Sequence, residues 1–267
     1  MILITGGNGV VGRRVTDLLH QEGVPVTAIT RADGDLFRPQ WIEPLLEGVQ
    51  AMQISPRATG PGLEDLLTLA VKQGVRRAVL LSATTVDHPA GEARFAAQFK
   101  MAENLVTSSG LEWTVLRLAD FAANALAWAP QLKAGDVVRG AYGKAATSPI
   151  HETDIAMIAV QALRDGAHAG SVHTLTGPES LDQHEKVRLI GAAVGRPLSF
   201  QEISPDQVKQ GLLAQGLPEE VPARLLGSLA DYARSPGPTT STVAELLGRP
   251  ALSFVDWARD HASAFGG

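Results

Sequence analysis

Apolar residues along this chain fall into short continuous runs. Between the runs lie segments where they recur at every third or fourth position and end at a glycine. Ile2-Leu3-Ile4 is the first run and reads as a buried strand. Val11, Val15, Leu18 and Leu19 follow at i, i+4, i+7 and i+8, one face of a helix that Gly23 is placed to stop. Val24–Thr30 reads as a second strand, completing a βαβ unit with an expected right-handed crossover. Before the next run, Val49–Ile54, only Pro39–Glu47 has room to be helical. Two strands with a helix between them do not fit there, so one strand–helix unit is missing or reduced.

The alternation then resumes. Arg57–Gly62 reads as a flexible loop, and Leu63, Leu66, Leu67 and Ala70 mark a helix over Gly62–Gln73. Val75–Ser82 is a strand, and Phe95, Phe99, Ala102 and Val106 stripe a long helix over Ala90–Ser109. Glu112–Arg117 is a further strand. Five strands alternating with helices predict an α/β fold with a doubly wound parallel sheet. From Leu118 the texture changes. A helix opens at Ile150–Ala156, Val172–Leu175 is a strand, and Gln183–Val194 is a helix that Gly195 stops. Leu198–Ile203 is a strand, Pro205–Gln215 and Glu219–Ala233 are helices, and Thr239–Gly248 and Ser253–Phe265 form the tail.

Composition narrows the class. A length of 267 residues suits one α/β domain with an appended lobe, and 45% hydrophobic residues suffice for a core. A net charge of −5 argues against nucleic acid or an anionic membrane as partner. The absence of cysteine excludes disulfides, thiolate catalysis and Cys-ligated metals. His20, His168, His173, His184 and His261 show no metal-ligand spacing, so no metal is expected. The first strand leaves no room for a signal peptide, and no apolar run reaches membrane length. The expectation is a soluble, cytoplasmic protein.

The chemistry starts at Thr5-Gly6-Gly7-Asn8-Gly9-Val10-Val11-Gly12, where Gly6, Gly9 and Gly12 fall at i, i+3 and i+6. An ordinary Gly-rich turn is the plainer alternative. A strand before and a helix after favour a dinucleotide site, with a diphosphate on the helix N-terminus. Arg31 ends the second strand, where an adenosine ribose would lie. Arginine suits a 2′-phosphate, so NADP(H) is preferred over a merely solvated surface arginine; Asp33 keeps NAD(H) compatible. Ser82–Thr85 and the loop through Asp87, His88 and Pro89 fall at the carboxyl edge of the sheet, where such folds bind ligands.

TGGNGVVG resembles the TGATGxxG of atypical short-chain dehydrogenase/reductases of the NmrA-like branch. Further marks follow in order: Gly34-Asp35-Leu36, Lys100 with Glu103, Ser109–Arg117, Phe121 with Asn124, Asp154-Ile155-Ala156, Leu175–Pro178, and Leu247–Pro250 with Ser253-Phe254. The resemblance covers nearly the whole chain. It implies a Rossmann-like sheet, here with its second-strand/third-strand region shortened, and a small C-terminal substrate lobe. Residues 1–125, with 150–176 returning to them, are expected to bind the dinucleotide; 126–149 and 177–267 are expected to form the smaller, mainly helical lobe. The implied cofactor residues are Thr5, Gly6, Gly7, Asn8, Gly9, Val10, Val11, Gly12, Arg31, Asp35, Leu36, Ser55, Ser82, Ala83, Thr84 and Lys100. Three departures stand out. Arg31 is nearly adjacent to Gly34, the tyrosine expected four residues before the lysine is Ala96, and the proline after the strand arginine is lost in Arg117-Leu118-Ala119.

Members of the resembled family include quinone reductases, reductases of plant phenolics, and redox-sensing regulators that bind the dinucleotide without turning it over. Hydride transfer asks little beyond positioning and charge balance. A quinone needs a proton donor less than a simple carbonyl, because its reduced oxygen is a stabilised phenolate. Ala96 therefore fits an NADPH-dependent reductase of a quinone or polycyclic aromatic, polyketide-like substrate, whose reduced product supports hydroxylation by O2. The alternative is a non-catalytic NAD(P)-sensing regulator. Lys100 and Ser82 are the candidate catalytic residues, Lys100 as the ammonium beside a developing oxyanion. The plainer alternatives are a lysine paired with Glu103 and a hydroxyl capping a strand end. Thr84, His88, Phe121, Asn124 and Trp128 are expected to border a small planar aromatic substrate, although Phe121 also suits the core and His88 a solvated loop. Asp154 is read as a helix-start charge, not as a catalytic partner of His151. A homodimer is compatible with the sequence.

Overall fold

The structure is a computed structural model that describes residues 1–266. Its central sheet is six-stranded and wholly parallel. β1 (Ile2–Thr5) leads through the loop at Gly6–Gly9 into α1 (Val10–Gln21), and β2 (Val26–Ile29) returns beside β1. The next stretch forms a single 3-10 segment, Pro39–Leu46, and no strand. The chain then crosses to the other side of β1 as β3 (Ala51–Ile54). The strand order is β2-β1-β3-β4-β5-β7, so β2 ends the sheet and one unit is missing there, as the spacing between Thr30 and Val49 required.

The residues after β3 correct one expectation. Arg57–Gly62 is not a flexible loop: α2 (Pro56–Thr59) and a 3-10 turn at Gly60–Gly62 fill it. Pro56 sits in the first helical turn, where its missing N–H costs nothing, and Thr59 Oγ1 donates to the Ser55 carbonyl. A Cβ on Gly62 would lie 2.2 Å from the Leu36 carbonyl oxygen, so the segment is packed tightly on the turn that replaces the missing unit.

α3 (Leu63–Lys72), β4 (Arg77–Ala83), α4 (Ala93–Thr107) and β5 (Glu112–Leu118) continue the alternation. α5 (Ala129–Ala134) and β6 (Val137–Gly140) leave the sheet, and α6 (Glu152–Arg164) with β7 (Ser171–Leu175) rejoins it. α7 (Gln183–Val194), β8 (Ser199–Glu202), α8 (Pro205–Ala214), α9 (Glu220–Arg234), α10 (Thr242–Leu247) and α11 (Phe254–Asp260) complete the chain. β6 and β8 pair in parallel as a separate two-stranded sheet, which periodicity did not reveal.

Burial divides the core in three. One face of the sheet is covered by α1 and α6 through Val11, Val15, Leu19, Ile155, Ile158 and Ala162. The other is covered by α3, α4 and the 3-10 segment through Ile42, Leu46, Leu66, Ala70, Ala102 and Val106. A third cluster joins Leu132, Val138, Ile190, Phe254, Trp257 and Phe265 outside the sheet. Each fully buried large apolar side chain stabilises by about 1.5–3 kcal/mol, so these faces hold the strand ends rigidly. Glycine loop, β3 end, β4 end and β5 end all open on the carboxyl edge.

Candidate dinucleotide and acceptor site

The phosphate end is built by close packing. β1 ends at Thr5, whose buried hydroxyl donates to the Gln53 carbonyl at 3.1 Å and accepts from the Ser55 N–H at 2.8 Å. That hydroxyl ties β1 to β3. Gly6 has φ +72°, and a Cβ there would sit 3.2 Å from the Ser55 Cβ. A Cβ on Gly12 would meet the Gly6 carbonyl oxygen at 2.3 Å. Gly7 donates its N–H to the Ile29 carbonyl at 2.8 Å.

Helix α1 is uncapped. Gly9 offers no side chain, the first turn holds no acidic residue, and the first bond into the helix is Arg13 N–H to the Gly9 carbonyl at 3.0 Å. The N–H groups of Val10, Val11 and Gly12 precede that bond and have no helical partner. Asn8, Gly9 and Val10 are exposed. This set of free donors at a positive dipole end fits a dinucleotide diphosphate.

At the far end of β1 and β2 the exposed Arg31 has no ion-pair partner among the described residues. Asp33 does not compete with it. Its carboxylate accepts from the Thr30 N–H and Thr30 Oγ1, both at 2.8 Å, and these bonds hold its pKa below the ordinary value. Asp35 and Leu36 build the turn that follows. Asp35 accepts the Phe37 N–H at 2.9 Å and, through its carbonyl, the Trp41 indole at 3.0 Å, while Leu36 is buried in the second core.

The carboxyl edge holds a charge network. Ser82 is buried and donates to Glu103 Oε1 at 2.7 Å. Glu103 accepts Arg117 Nε at 2.8 Å and Nη2 at 2.7 Å, and Arg117 Nη1 also contacts Asp87. Burial pushes the Glu103 carboxyl up, but bonds from Arg117 and Ser82 and the charges of Arg117 and Lys100 outweigh it, so its pKa lies below the ordinary value. The Ser82 hydroxyl thus ties the end of β4 to Glu103 on α4. Lys100 stays exposed with Nζ 3.8 Å from Glu103 Oε2, so the pairing and an outward ammonium coexist. Ala96 and Lys100 lie on the same helix, α4, and no phenol stands at the expected position.

The expected acceptor residues do not form one wall. Thr84 is buried at the end of β4, and its carbonyl accepts the His88 N–H at 2.8 Å in an exposed loop. Phe121 packs on the first core and Trp128 on the third, so the aromatic wall inferred from their spacing is divided between two cores. Asn124 is exposed and donates to Asp120 Oδ1 at 2.7 Å.

Four residues here were absent from the sequence reading: Asp120, Thr147, Lys186 and Tyr232. Lys186 Nζ donates to Thr147 Oγ1 at 2.6 Å and Asp120 Oδ2 at 3.0 Å, and Thr147 Oγ1 donates to the same carboxylate oxygen at 2.8 Å. Burial pushes the Asp120 carboxyl up, but the Lys186 charge and bonds from Asn124, Thr147 and Lys186 bring it below the ordinary value. The available signal was a lysine among Gln183, Val187 and Ile190 on the buried face of α7. Tyr232, on α9, is half-buried, and burial first, with the Asp120 charge, raises its phenol above the ordinary tyrosine value.

A surface cavity of about 540 Å3 lies elsewhere, beside Lys144, Asp182, His184 and Arg188. No expected site residue lines it. The strand ends define the site, because free backbone donors and polar side chains converge there. Among the described residues no group of three His, Asp or Glu side chains is placed to hold a metal, and no helix is long and apolar enough to cross a membrane.

The NAD dependent epimerase/dehydratase family matches residues 2–62, the segment from β1 to the turn before α3. The chain is 33% identical to the (4-alkanoyl-5-oxo-2,5-dihydrofuran-3-yl)methyl phosphate reductase of Streptomyces griseus, over 99% of both chains. It is 30% identical to the NAD(P)H azoreductase of Xenophilus azovorans, over 100% of this chain and 99% of the relative. The NADPH complex of an Escherichia coli quinone oxidoreductase shares the fold, with a TM-score of 0.81 at 21% identity over 97% of this chain and 99% of the other. The uncapped glycine loop, the parallel sheet that ends at β2 and the end-to-end similarity to two reductases agree: the chain belongs to the atypical short-chain dehydrogenase/reductases of the NmrA-like branch and is an NAD(P)H-dependent oxidoreductase.

Proposed function

We propose that the protein is an NADPH-dependent reductase that delivers hydride to a planar conjugated acceptor, a quinone or polycyclic aromatic. The observation that carries this reading is the exposed Lys100 ammonium held near Glu103 at the carboxyl edge, on a helix with alanine at position 96. A fixed positive charge suits an acceptor whose reduced oxygen is a delocalised anion. The dinucleotide, when bound, supplies the hydride. The donors of Val10, Val11 and Gly12 would hold its diphosphate, and Arg31, without an ion-pair partner among the described residues, would hold a 2′-phosphate. Relatives named for an unsaturated lactone and for azo compounds act on conjugated acceptors too, which supports the class. A hydroquinone product reduces O2 without a further cofactor, so hydroxylation of the product belongs to the same reading.

The test is NADPH consumption across a panel of simple and polycyclic quinones, with Lys100→Ala beside the wild type. We expect turnover of at least one polycyclic quinone, and a fall in kcat of about tenfold or more in the variant with NADPH affinity preserved. Tight NADPH binding without consumption of any panel member overturns the reductase reading in favour of a sensor. Unchanged kcat in the variant removes Lys100 from the chemistry.

A further inference from the structure

Just past the end of β5, the chain spends a buried lysine on a single carboxylate. Lys186 reaches over from α7 with its side chain only 5% exposed, and its Nζ donates to Asp120 Oδ2 and to Thr147 Oγ1. Thr147 Oγ1 donates to the same Oδ2. Taking an ammonium out of water is costly unless its bonds are well placed, so this carboxylate is held in one position from two sides. Its other oxygen, Oδ1, accepts from Asn124 Nδ2 at 2.7 Å. A carboxylate only accepts, so the Asn124 atom facing it is the amide nitrogen. Asn124 Oδ1 and the second Nδ2 hydrogen have no partner among the described residues, and the residue is exposed.

The backbone beneath the amide is equally fixed. Asn124 lies in the 3-10 turn Ala122–Trp128, between Ala122 and Ala125, both buried. Ala122 N–H donates to the Ile150 carbonyl and Asn124 N–H to the Phe121 carbonyl, each at 2.9 Å. Its place follows from the sheet register. Leu118, the last residue of β5, pairs with Ala83, the last of β4, and Asp120 lies two residues further along. Arg117, one residue before Leu118, bonds Glu103, and Lys100 stands beside that glutamate. The Asn124 amide and the Lys100 ammonium are thus anchored to the same strand end. A surface amide with no task needs neither a fixed carboxylate nor a buried cation behind it.

We propose that Asn124 is a specificity-determining residue, whose amide oxygen and adjacent N–H select conjugated acceptors carrying a hydroxyl next to the carbonyl that is reduced. The inference rests on the reductase reading above and names its substrate class, hydroxylated quinones. Asn124 Oδ1 accepts the hydroxyl hydrogen, and the free Nδ2 hydrogen is donated to the neighbouring carbonyl oxygen. That oxygen gains negative charge as hydride arrives, so the N–H bond to it strengthens. An analogue without the hydroxyl leaves the amide oxygen unpaired and is selected against. Asp120 is a positioning residue: it holds the amide in the receiving orientation before the acceptor binds, so that little ordering remains to be done at binding. Lys186 and Thr147 act one step further back, on Asp120.

The experiment compares 5-hydroxy-1,4-naphthoquinone with 1,4-naphthoquinone, and the chain has no cysteine for either to alkylate. kcat/KM is measured for both in the wild type and in Asn124→Leu, an exposed position where the change spares the core. Dividing the wild-type preference for the hydroxyl by that of the variant cancels the intrinsic reactivities of the two quinones. We expect a ratio of about ten or more, and a similar weakening of hydroxyquinone binding to the NADP+ complex, followed by visible absorbance. A ratio near one overturns the proposal. Asp120→Ala combined with Lys186→Met removes the anchor without stranding the ammonium, and NADPH fluorescence checks that the cofactor site persists. We expect this pair to lose the hydroxyl preference as Asn124→Leu does. A merely structural role lowers kcat/KM for both quinones alike and overturns the positioning by Asp120. A wild type that reduces other quinones but neither of these overturns the proposal alone. One that reduces no quinone overturns the reductase reading and the proposal together.

Discussion

Glu103 holds Arg117 with both carboxylate oxygens, and one of those oxygens also takes the Ser82 hydroxyl. The Glu103 and Arg117 side chains are only 4% and 11% exposed, so each depends on the other for its charge. Arg117→Met should leave the buried Glu103 with only the Ser82 hydroxyl and the exposed Lys100 ammonium 3.8 Å away, at a cost of about 3 kcal/mol in urea unfolding. Because the Glu103 pKa is depressed in the folded state, its stabilisation is fully present above the ordinary glutamate value of about 4.3 and is lost as pH falls through the depressed value. The stability gap between wild type and Glu103→Gln should therefore be constant near neutrality and narrow in acid. A gap that widens in acid contradicts the pairing.

Glycine to alanine inside a helix ordinarily stabilises by about 1 kcal/mol. Gly12→Ala should reverse that sign, because its Cβ would fall 2.3 Å from the Gly6 oxygen and 3.1 Å from the Gly7 Cα, both backbone atoms with no room to move. We expect a lower Tm and at least about tenfold weaker NADPH binding. Gly9→Ala meets only the Gly6 oxygen, at 3.1 Å, and should cost far less in both measurements.

Arg31→Ala tests the phosphate end. A charge-assisted bond to a phosphate contributes about 1.5–3 kcal/mol, so the Kd for NADPH should rise about 10- to 100-fold while that for NADH hardly moves. The effect should shrink as salt is raised. Equal losses for both dinucleotides would place Arg31 away from the 2′-phosphate.

Lys186→Met removes the only ammonium bonded to half-buried Asp120 among the described residues. A loss of about 1–3 kcal/mol is expected, and adding Asp120→Asn should restore much of it, since no uncompensated charge then remains. Thermal unfolding of both variants and of the pair makes a double-mutant cycle. Strict additivity would show that the contact carries no coupling.

What could be read from the sequence was local. α7 spans Gln183–Val194 as its periodicity predicts, because Asp182 caps one end and Gly195 turns left-handed at the other. The glycine loop was readable for the same reason: strand, turn and helix start adjoin one another. The β6–β8 pair was not: β8 was readable within Leu198–Ile203, but four-residue β6 shows no run of its own and the two meet only through a distant pairing. The partner of Ser82 was not legible because Glu103, which accepts its hydroxyl, lies on the next helix, on the buried face of α4. Tyr232 escaped notice because α9 looks like an amphipathic surface helix until Gly91 and Ala146 are seen to hold it down. Phe121 and Trp128 share a stretch of chain but not a core, and spacing alone does not tell the two apart.

The sheet that stops at β2 also changes what the protein can tell apart. A further strand and its helix would wall in a base bound at this edge; here the sheet stops at β2 and residues 31–33 of the turn beside it are exposed. A base held there would rest on a shelf and not in a slot. Recognition at that end would fall to one guanidinium reading one phosphate, with the purine left little read. Etheno- and hypoxanthine-substituted NADPH should therefore serve nearly as well as NADPH itself, which makes the enzyme tolerant of fluorescent cofactors that a closed pocket would reject.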